Sequence, residues 1–266
     1  MERLLVLRTQ ARGCAAEVWL NDMAVLRIGP GGGAQSLPVH EYLCEGDNKL
    51  ELVVDPRPVQ APPGPSLPRL ATAAVAASAR LLLPRIGQTA SELHARTLAE
   101  LEWSAPEGEL YEVPLSVHQG VALPVKFPRW RWLDLAPIEP TPQLPALVAG
   151  FLQSLVVALL RGDPEPLLVA SRLRLEELGL AYQRPPAELA EALRARLKLL
   201  HATQALQLPM PSAAELVLRP CAGGRLLECL APDGGPVLRS APAPDGTHHA
   251  WPVRVAVVNG QCHIVR

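Results

Sequence analysis

The feature that most constrains the fold is a change in hydrophobic spacing on either side of a proline-rich segment, 134–145. Before this segment, apolar residues alternate with polar ones, which is the period of a strand with one buried face. After it, apolar residues recur every three or four positions, which is the period of an α-helix. The segment interrupts both patterns with its prolines (Pro137, Pro140, Pro142 and Pro145). We therefore predict two domains, at 1–136 and 146–266, joined by a linker at 137–145.

The first half carries the pattern of an all-β domain. Its predicted strands are short and are separated by turn signals such as Asn21-Asp22 and Gln119-Gly120. The strands are predicted at 17–21, 23–28, 37–39, 49–54, 71–83, 97–103, 111–118 and 121–127. The stretch 55–69 is rich in proline and glycine and is predicted to be a loop. This succession of strands predicts a β-sandwich of the jelly-roll type.

The second half carries helices first and strands afterwards. Helices are predicted at 147–161 and 165–182, and a third begins at Pro185-Pro186, because the first turn of a helix tolerates proline. Strands are predicted at 215–218, 225–230, 237–240, 251–258 and 261–265. Asn259-Gly260 is a typical turn for the last two strands. Helices and strands that are segregated in this way predict an α+β domain.

Residues 144–266 resemble the nuclear transport factor two-like superfamily, which has a cystatin-like α+β cone. The resemblance lies in the order of the elements, and above all in the closing hairpin formed by 253–258, Asn259-Gly260 and 261–265. It implies three helices packed on a curved antiparallel sheet, with an apolar mouth to the cone. Many members carry an aromatic residue where this chain has Cys262 or His263. Members include dehydratases, isomerases, polyketide cyclases and non-catalytic binding proteins, so the fold alone names no chemistry.

Residues 17–54 are similar to jelly-roll accessory modules of the sugar-binding type. The similarity lies in the motifs VWLND and EYLCEGDNKLELVV. In those modules the corresponding turns are structural, so the similarity implies the fold and not the binding of a sugar.

The charge balance bears on the class of partner. Only 19% of the residues are charged and the formal net charge is −1. Such a chain has no global field to attract nucleic acid or an anionic membrane, so we expect neither as a partner. The excess of arginine over lysine, together with abundant alanine, leucine, proline and glycine, indicates GC-rich coding and hence a bacterial source.

Cysteine usage and hydropathy predict a cytoplasmic location. The five cysteines form no CxxC pair, which fits reduced thiols better than disulfides or a thiolate metal site. The N-terminal sequence MERLLVLRTQ lacks an apolar stretch of signal-peptide length. The apolar run 144–160 is short for a bilayer about 30 Å thick, so we predict a buried helix there.

Several motifs that suggest chemistry lack the context that this chemistry needs. The stretch 29–34 matches a dinucleotide-binding glycine pattern, but Pro38 follows closely and no helical period appears, so a flexible hairpin loop is predicted. His248 and His249 are adjacent, which is poor geometry for two ligands of one metal on a strand. No nucleophile elbow or HExxH motif is present. We expect no metal and no cofactor, and the chain is more typical of a non-enzyme.

A few individual residues remain as candidates for acid–base or thiol chemistry. Asp163, His201 and His263 are candidates for acid–base groups lining the cone, but the sequence brings no two of them together, and a lone histidine is more often structural. Cys221 and Cys229 are predicted to be ordinary buried thiols, because neither has a base or an electropositive environment in the sequence.

The most unusual segment is 126–132, which holds two of the five tryptophans. In an extended chain Trp130 and Trp132 share one face, while Arg129 and Arg131 lie on the other. We predict these four residues as a binding surface, with the rings serving as a platform or as interface anchors. The general burial of tryptophan favours the alternative, in which both rings seal the end of the sandwich against the proline-rich segment.

These patterns favour a non-catalytic interaction protein of the bacterial cytoplasm, of the adaptor or toxin-immunity type, which binds a protein partner. An alternative is an enzyme of isomerase or dehydratase type, or a binding protein, with a small molecule in the C-terminal cone. A further alternative is a carbohydrate-binding module.

Overall fold

The chain forms an α+β structure that is rich in open antiparallel sheets. The computed structural model describes residues 4–62, 64–85, 94–123, 125–243 and 246–266, and these residues carry four α-helices. The chain divides into two compact units, Met1–Arg129 and Trp130–Arg266. Whether the predicted domains 1–136 and 146–266 each fold in isolation stays a prediction.

The first unit contains two four-stranded antiparallel sheets. Its strands are β1 (Val6–Arg12), β2 (Ala16–Leu20), β3 (Met23–Ile28), β4 (Gly33–Pro38), β5 (Gly46–Val54), β6 (Leu67–Leu70), β7 (Val75–Pro84), β8 (Ala95–Ala105), β9 (Leu110–Val113) and β10 (Leu115–Leu123). One sheet has the order β4-β1-β7-β8 and the other has the order β10-β5-β2-β3, while β6 and β9 form a separate pair.

Alternating residues of both sheets share one hydrophobic core. Leu7 and Leu81 from one sheet and Val18 and Leu52 from the other are fully buried members of the same cluster. The burial of every second residue along β1, β5 and β7 agrees with the period-two pattern. The predicted Asn21-Asp22 turn is confirmed, since these residues join β2 to β3 with φ values of 50° and 61°.

Some predicted strand boundaries in the first unit are wrong. Gln119-Gly120 is not a turn, because β10 continues through it and Gly120 lies opposite Lys49 of β5. The break falls instead at Pro114, which has no N–H to donate to a ladder. The sequence pattern predicts no strand over β1, although β1 pairs with both β4 and β7. The glycine-rich loop before β4 is no hairpin, since it connects strands of different sheets.

The second unit contains the helices and one four-stranded antiparallel sheet. Its elements are α1 (Leu144–Leu160), α2 (Glu165–Ala170), α3 (Arg172–Tyr182), α4 (Pro186–Ala202), β11 (Val217–Cys221), β12 (Leu226–Leu230), β13 (Leu238–Arg239), β14 (Ala250–Trp251), β15 (Arg254–Val258) and β16 (Gln261–Ile264). The sheet has the order β11-β12-β15-β16, so β16 is an edge strand. The predicted Asn259-Gly260 turn between β15 and β16 is confirmed by φ values of 50° and 73°.

Helix α1 forms one side of the core of this unit. Val148, Leu152 and Leu155 are buried in the same cluster as Val255 of β15 and Ile264 of β16. The prediction of a buried helix over this apolar run is therefore confirmed. Within the described residues, no helix combines the length and the apolarity that crossing a bilayer requires.

Two predicted elements of the second unit are each divided in the structure. The helix predicted over 165–182 is two helices, because Ser171 leaves helical dihedrals with φ −93° and ψ 6°. Serine is a weak helix former, since its hydroxyl competes for backbone hydrogen bonds. The described residues of the second unit thus form four helices where three were predicted. The strand predicted over 251–258 is interrupted at Pro252, which cannot donate to the ladder.

Candidate functional site

Helices α1 and α2 and strand β16 border an open surface pocket of about 520 Å³, which we call the α1–α2–β16 pocket. It is bounded by Phe151 and Leu155 of α1, by Val169 of α2, and by Cys262 and His263 of β16. Because β16 is the edge of its sheet, the pocket opens beside the last strand rather than over the middle of the sheet.

A tight connection between α1 and α2 sets the position of the first polar residue of the pocket, Asp163. Gly162 has φ 79°, a conformation that glycine adopts without strain. A Cβ atom added to Gly162 would lie 2.9 Å from the His201 ring, so the connection also requires the smallest residue. Asp163 Oδ1 then accepts a hydrogen bond of 3.0 Å from the backbone N–H of Glu165, at the start of α2.

Glu165 is the second carboxylate of the pocket, and helix α4 neutralises it. Arg194 donates to both carboxylate oxygens, with distances of 2.6 and 3.0 Å from its Nε and Nη2 atoms. These hydrogen bonds lower the pKa of Glu165, and the nearby charge of Lys198 acts in the same direction. Arg194 also contacts Glu191, so its charge is shared between two carboxylates.

The remaining polar side chains of the pocket are Ser154, His263 and Cys262. Ser154 donates its hydroxyl hydrogen to the carbonyl of Phe151 at 2.7 Å. Burial raises the pKa of the Cys262 thiol, which therefore remains protonated at neutral pH. A protonated thiol is a weak nucleophile, so Cys262 contributes to the wall rather than to covalent chemistry.

The structure brings two of the three predicted acid–base residues together. Asp163 and His263 both line the α1–α2–β16 pocket. His201 does not line it, and its Nε2 atom lies 3.2 Å from the carbonyl oxygen of Leu160. The contributions of Ser154 and Glu165 were not predicted, because they depend on how α1, α2 and β16 pack in space. The Asp-Pro-Glu sequence at 163–165 was the one available signal, since it marks the start of a helix.

The four residues predicted as a binding surface lie in different surroundings. Trp130 and Trp132 are 0% and 4% exposed, while Arg129 and Arg131 are exposed. Residues Arg131–Asp134 form a short 3-10 helix instead of an extended chain. The burial of both rings favours the alternative in which they serve packing, and a binding role for these residues stays a prediction.

Trp130 packs beside a buried ion pair that the sequence did not predict. The guanidinium of Arg266 lies 5.5 Å from the centre of a Trp130 ring and pairs with the Glu177 carboxylate. The other oxygen of Glu177 accepts a hydrogen bond of 2.5 Å from the backbone N–H of Arg131. The side chains of Glu177 and Arg266 are 3% and 1% exposed, so the pair is almost completely removed from water.

A second buried charge cluster crosses the sheet. Glu228 of β12 accepts a hydrogen bond of 3.0 Å from Arg254 of β15 and one of 2.9 Å from the Nε atom of Arg219 of β11. The three residues lie opposite one another on neighbouring strands. This arrangement satisfies the buried carboxylate and links the three strands, which indicates a structural role.

The glycine and histidine motifs lie outside the pocket. The glycine loop closes with a hydrogen bond of 2.9 Å from Gly32 N–H to the Gly29 carbonyl, and strand β4 follows it. His248 is exposed, and His249 contacts the Trp251 ring. Across the described ranges, no group of three or more His, Cys, Asp or Glu side chains is arranged to hold a metal ion.

Burial explains the properties of the two predicted core thiols. It raises the pKa of Cys221 to about 11 and raises the pKa of Cys229 still further. Both thiols are buried and reduced, which is the behaviour of ordinary packing cysteines.

A second depression, of about 560 Å³, lies in the first unit on the sheet β4-β1-β7-β8. Gln10, Arg12, Ser78 and Glu102 give it polar groups, and Glu102 is already bonded to Arg80 at 2.7 Å. The depression gives the carbohydrate-binding hypothesis a location in the first unit, and that hypothesis stays a prediction.

Comparison with known proteins gave no further guide to the site: no family model, no curated protein and no solved structure matched this chain.

Proposed function

We propose that the second unit binds a small organic molecule without covalent chemistry in the α1–α2–β16 pocket. The observation that carries this proposal is the size and lining of the pocket. Its volume of about 520 Å³ and its wall of mostly apolar residues with a few polar groups are typical of small-molecule sites. Helices α1 and α4 and the sheet share one core, so the pocket has a packed support.

Binding accounts for the chemistry of the pocket better than covalent catalysis does. Cys262 is the one thiol among the described residues that line the pocket, and burial raises its pKa, which disfavours the thiolate. The hydroxyl of Ser154 donates to a backbone carbonyl and not to a base. Asp163 and His263 are the groups that a proton-transfer enzyme would use here, so turnover of a bound ligand would extend the proposal to the enzyme alternative.

The fold families predicted from the sequence form part of the proposal. We propose a jelly-roll-type sandwich for the first unit, because two four-stranded antiparallel sheets share one core. We propose a nuclear transport factor two-like fold for the second unit, because its helices and its antiparallel sheet share another core. The split helix and the position of the pocket beside an edge strand are departures from the expected pattern.

A ligand screen by thermal shift, followed by titration calorimetry, tests the binding proposal. Val169 is 74% exposed, so Val169→Arg is expected to fold and to obstruct the pocket. Leu199→Arg is the matched control, because Leu199 is 63% exposed on α4 and does not line the pocket. Ligands found with the parent protein should bind Leu199→Arg equally and should bind Val169→Arg at least about tenfold more weakly.

Thiol labelling gives a second test on the unmodified chain. Cys262 and Cys44 are both half-buried, but only Cys262 lines the pocket. A bound ligand should slow alkylation of Cys262 and leave that of Cys44 unchanged, as measured by mass spectrometry of peptides. Equal affinity for Val169→Arg, or equal alkylation of Cys262 with and without ligand, would show that the ligand binds elsewhere.

The second candidate function is the binding of a protein partner, as predicted from the sequence. Three leucines of the β6–β9 pair favour it, because Leu67, Leu70 and Leu110 are 64%, 53% and 67% exposed. Leu70 and Leu110 lie directly opposite each other, so they form one apolar patch. Replacing both by serine should abolish capture of a single stoichiometric partner, whereas Leu180→Ser on α3 should not. Retention of the same partner by the double variant would exclude this patch.

A further inference from the structure

We infer that the ligand of the α1–α2–β16 pocket is a primary amine that carries its ammonium group on an apolar body. This inference rests on the proposed function and goes further by naming the ligand class. It comes from the hydrogen-bonding capacity and the charge of the side chains that line the pocket.

The polar side chains of the pocket offer hydrogen-bond acceptors in excess of donors. Asp163 is acceptor-only when ionised, and one hydrogen bond from the N–H of Glu165 leaves most of its lone pairs available. The Ser154 hydroxyl donates its one hydrogen to the Phe151 carbonyl, so its oxygen lone pairs remain available as acceptors. An ammonium group, with three N–H donors and no acceptor, complements such a set.

The charges around the pocket also favour a cation. No arginine or lysine is among the described residues that line it. The nearby cations Arg194 and Lys198 both lower the pKa of Glu165, and Arg194 also donates a hydrogen bond to Glu191. The hydrogen bond to Asp163 comes from an uncharged backbone N–H, which brings no positive charge to the carboxylate, so the carboxylate would attract a cationic ligand and repel an anionic one.

The rest of the wall requires an apolar ligand body. Phe151, Leu155, Pro166, Val169 and Ala170 present carbon surfaces. Cys262 adds an uncharged thiol because burial raises its pKa. The volume of about 520 Å³ exceeds that of an ammonium group by far, so the affinity of a ligand must come mainly from apolar contact.

Three probes with one carbon skeleton test the inference: 4-phenylbutylamine, 4-phenylbutan-1-ol and 4-phenylbutyrate. Their dissociation constants are measured by titration calorimetry on the parent chain and on Asp163→Asn. The variant keeps the oxygen that accepts from Glu165, so it should preserve the start of α2. The matched control is Asp233→Asn, because Asp233 accepts a similar hydrogen bond from Gly235 N–H outside the pocket.

We expect the amine to bind about fivefold more tightly than the alcohol, as for a partly exposed ion pair, and the carboxylate to bind most weakly. Asp163→Asn should remove the preference for the amine, and Asp233→Asn should retain it. If the alcohol or the carboxylate binds as tightly as the amine, or more tightly, the inferred ligand class is wrong. The pocket remains a binding site in that case if Val169→Arg still weakens the binding of these probes. Failure of all three probes to bind at millimolar concentration would count against the binding site itself.

Discussion

The two units bury charge in different ways. In the first unit the arginines of the ion pairs keep access to water, as with Arg27, whose side chain is 34% exposed beside Glu17. In the second unit both partners of the Glu177–Arg266 and Glu228–Arg254 pairs are almost completely buried. The cost of desolvating a buried ion is recovered only while its partner is in place. The second unit should therefore tolerate the loss of a single charge much less well than the first.

The largest expected effect is the loss of a buried carboxylate. Glu177→Ala removes the partner of Arg266 and the acceptor of the Arg131 N–H, which leaves a charge without compensation in the core. We expect it to lower the free energy of unfolding by about 3–5 kcal/mol. Glu102→Ala is the control in the first unit, since Glu102 is 60% exposed beside Arg80.

Chemical denaturation with circular dichroism measures both variants, and the control should unfold at the same denaturant concentration as the parent. Equal denaturation midpoints for Glu177→Ala and the parent would mean that the Glu177–Arg266 pair makes no net contribution to the free energy of unfolding. The contrast between the two units would then fail.

The next effect in size tests whether the two cores are independent. Leu52 lies in the core of the first unit and is 0% exposed, and Leu155 lies in the core of the second unit and is 3% exposed. Each Leu→Ala change should cost about 2–5 kcal/mol through lost burial and the remaining cavity. We expect each variant to shift a different transition in calorimetry, because the two clusters share no residue.

Separate expression of the two compact units, 1–129 and 130–266, completes this test, since each fragment should give a folded spectrum. A single transition that moves equally with Leu52→Ala and Leu155→Ala would show that the halves unfold as one cooperative body. The predicted domain boundaries would then be wrong.

The sequence predicts those features of the two units that depend on neighbouring residues. The Asn21-Asp22 and Asn259-Gly260 turns were predictable because their residue types tolerate positive φ. Gln119-Gly120 carried a similar local signal, but pairing of Gly120 with Lys49 keeps the strand continuous. Pairing partners that are distant in the chain override local preference, and a single sequence does not reveal them.

The candidate site was predictable only in part for the same reason. Asp163 and His263 were recognised as residue types suited to acid–base chemistry, but they are 100 residues apart and line one pocket only through packing. Glu177 and Arg266 form a buried pair across a similar separation. Charged residues are usually exposed, so neither pattern nor composition indicated that these two are buried.

The smallest expected effect is a difference in pH dependence. In the first unit, burial lowers the pKa of His40 below its usual 6.5. The unfolded chain then binds a proton more readily than the folded one, so stability falls as the pH drops below about 6.5. In the second unit, burial raises the pKa of Cys221 from 9.0 to about 11. There the folded thiol keeps its proton while the unfolded thiol loses it, so stability falls as the pH rises above about 9.

The melting temperature, measured between pH 5 and pH 10 for the parent, His40→Gln and Cys221→Ala, separates these two contributions. The fall in melting temperature below about pH 6.5 is the acid limb of this profile, and the fall above about pH 9 is its alkaline limb. The Phe127 ring lies 4.6 Å from the His40 ring, and an uncharged glutamine keeps a polar group beside it without titrating. His40→Gln should flatten the acid limb alone, because Cys221 stays protonated there. Cys221→Ala should flatten the alkaline limb only in part, because burial also raises the pKa of Cys229 and this thiol contributes to the same limb. If His40→Gln leaves the acid limb unchanged, another group controls it, and the assignment of acid sensitivity to this histidine is wrong.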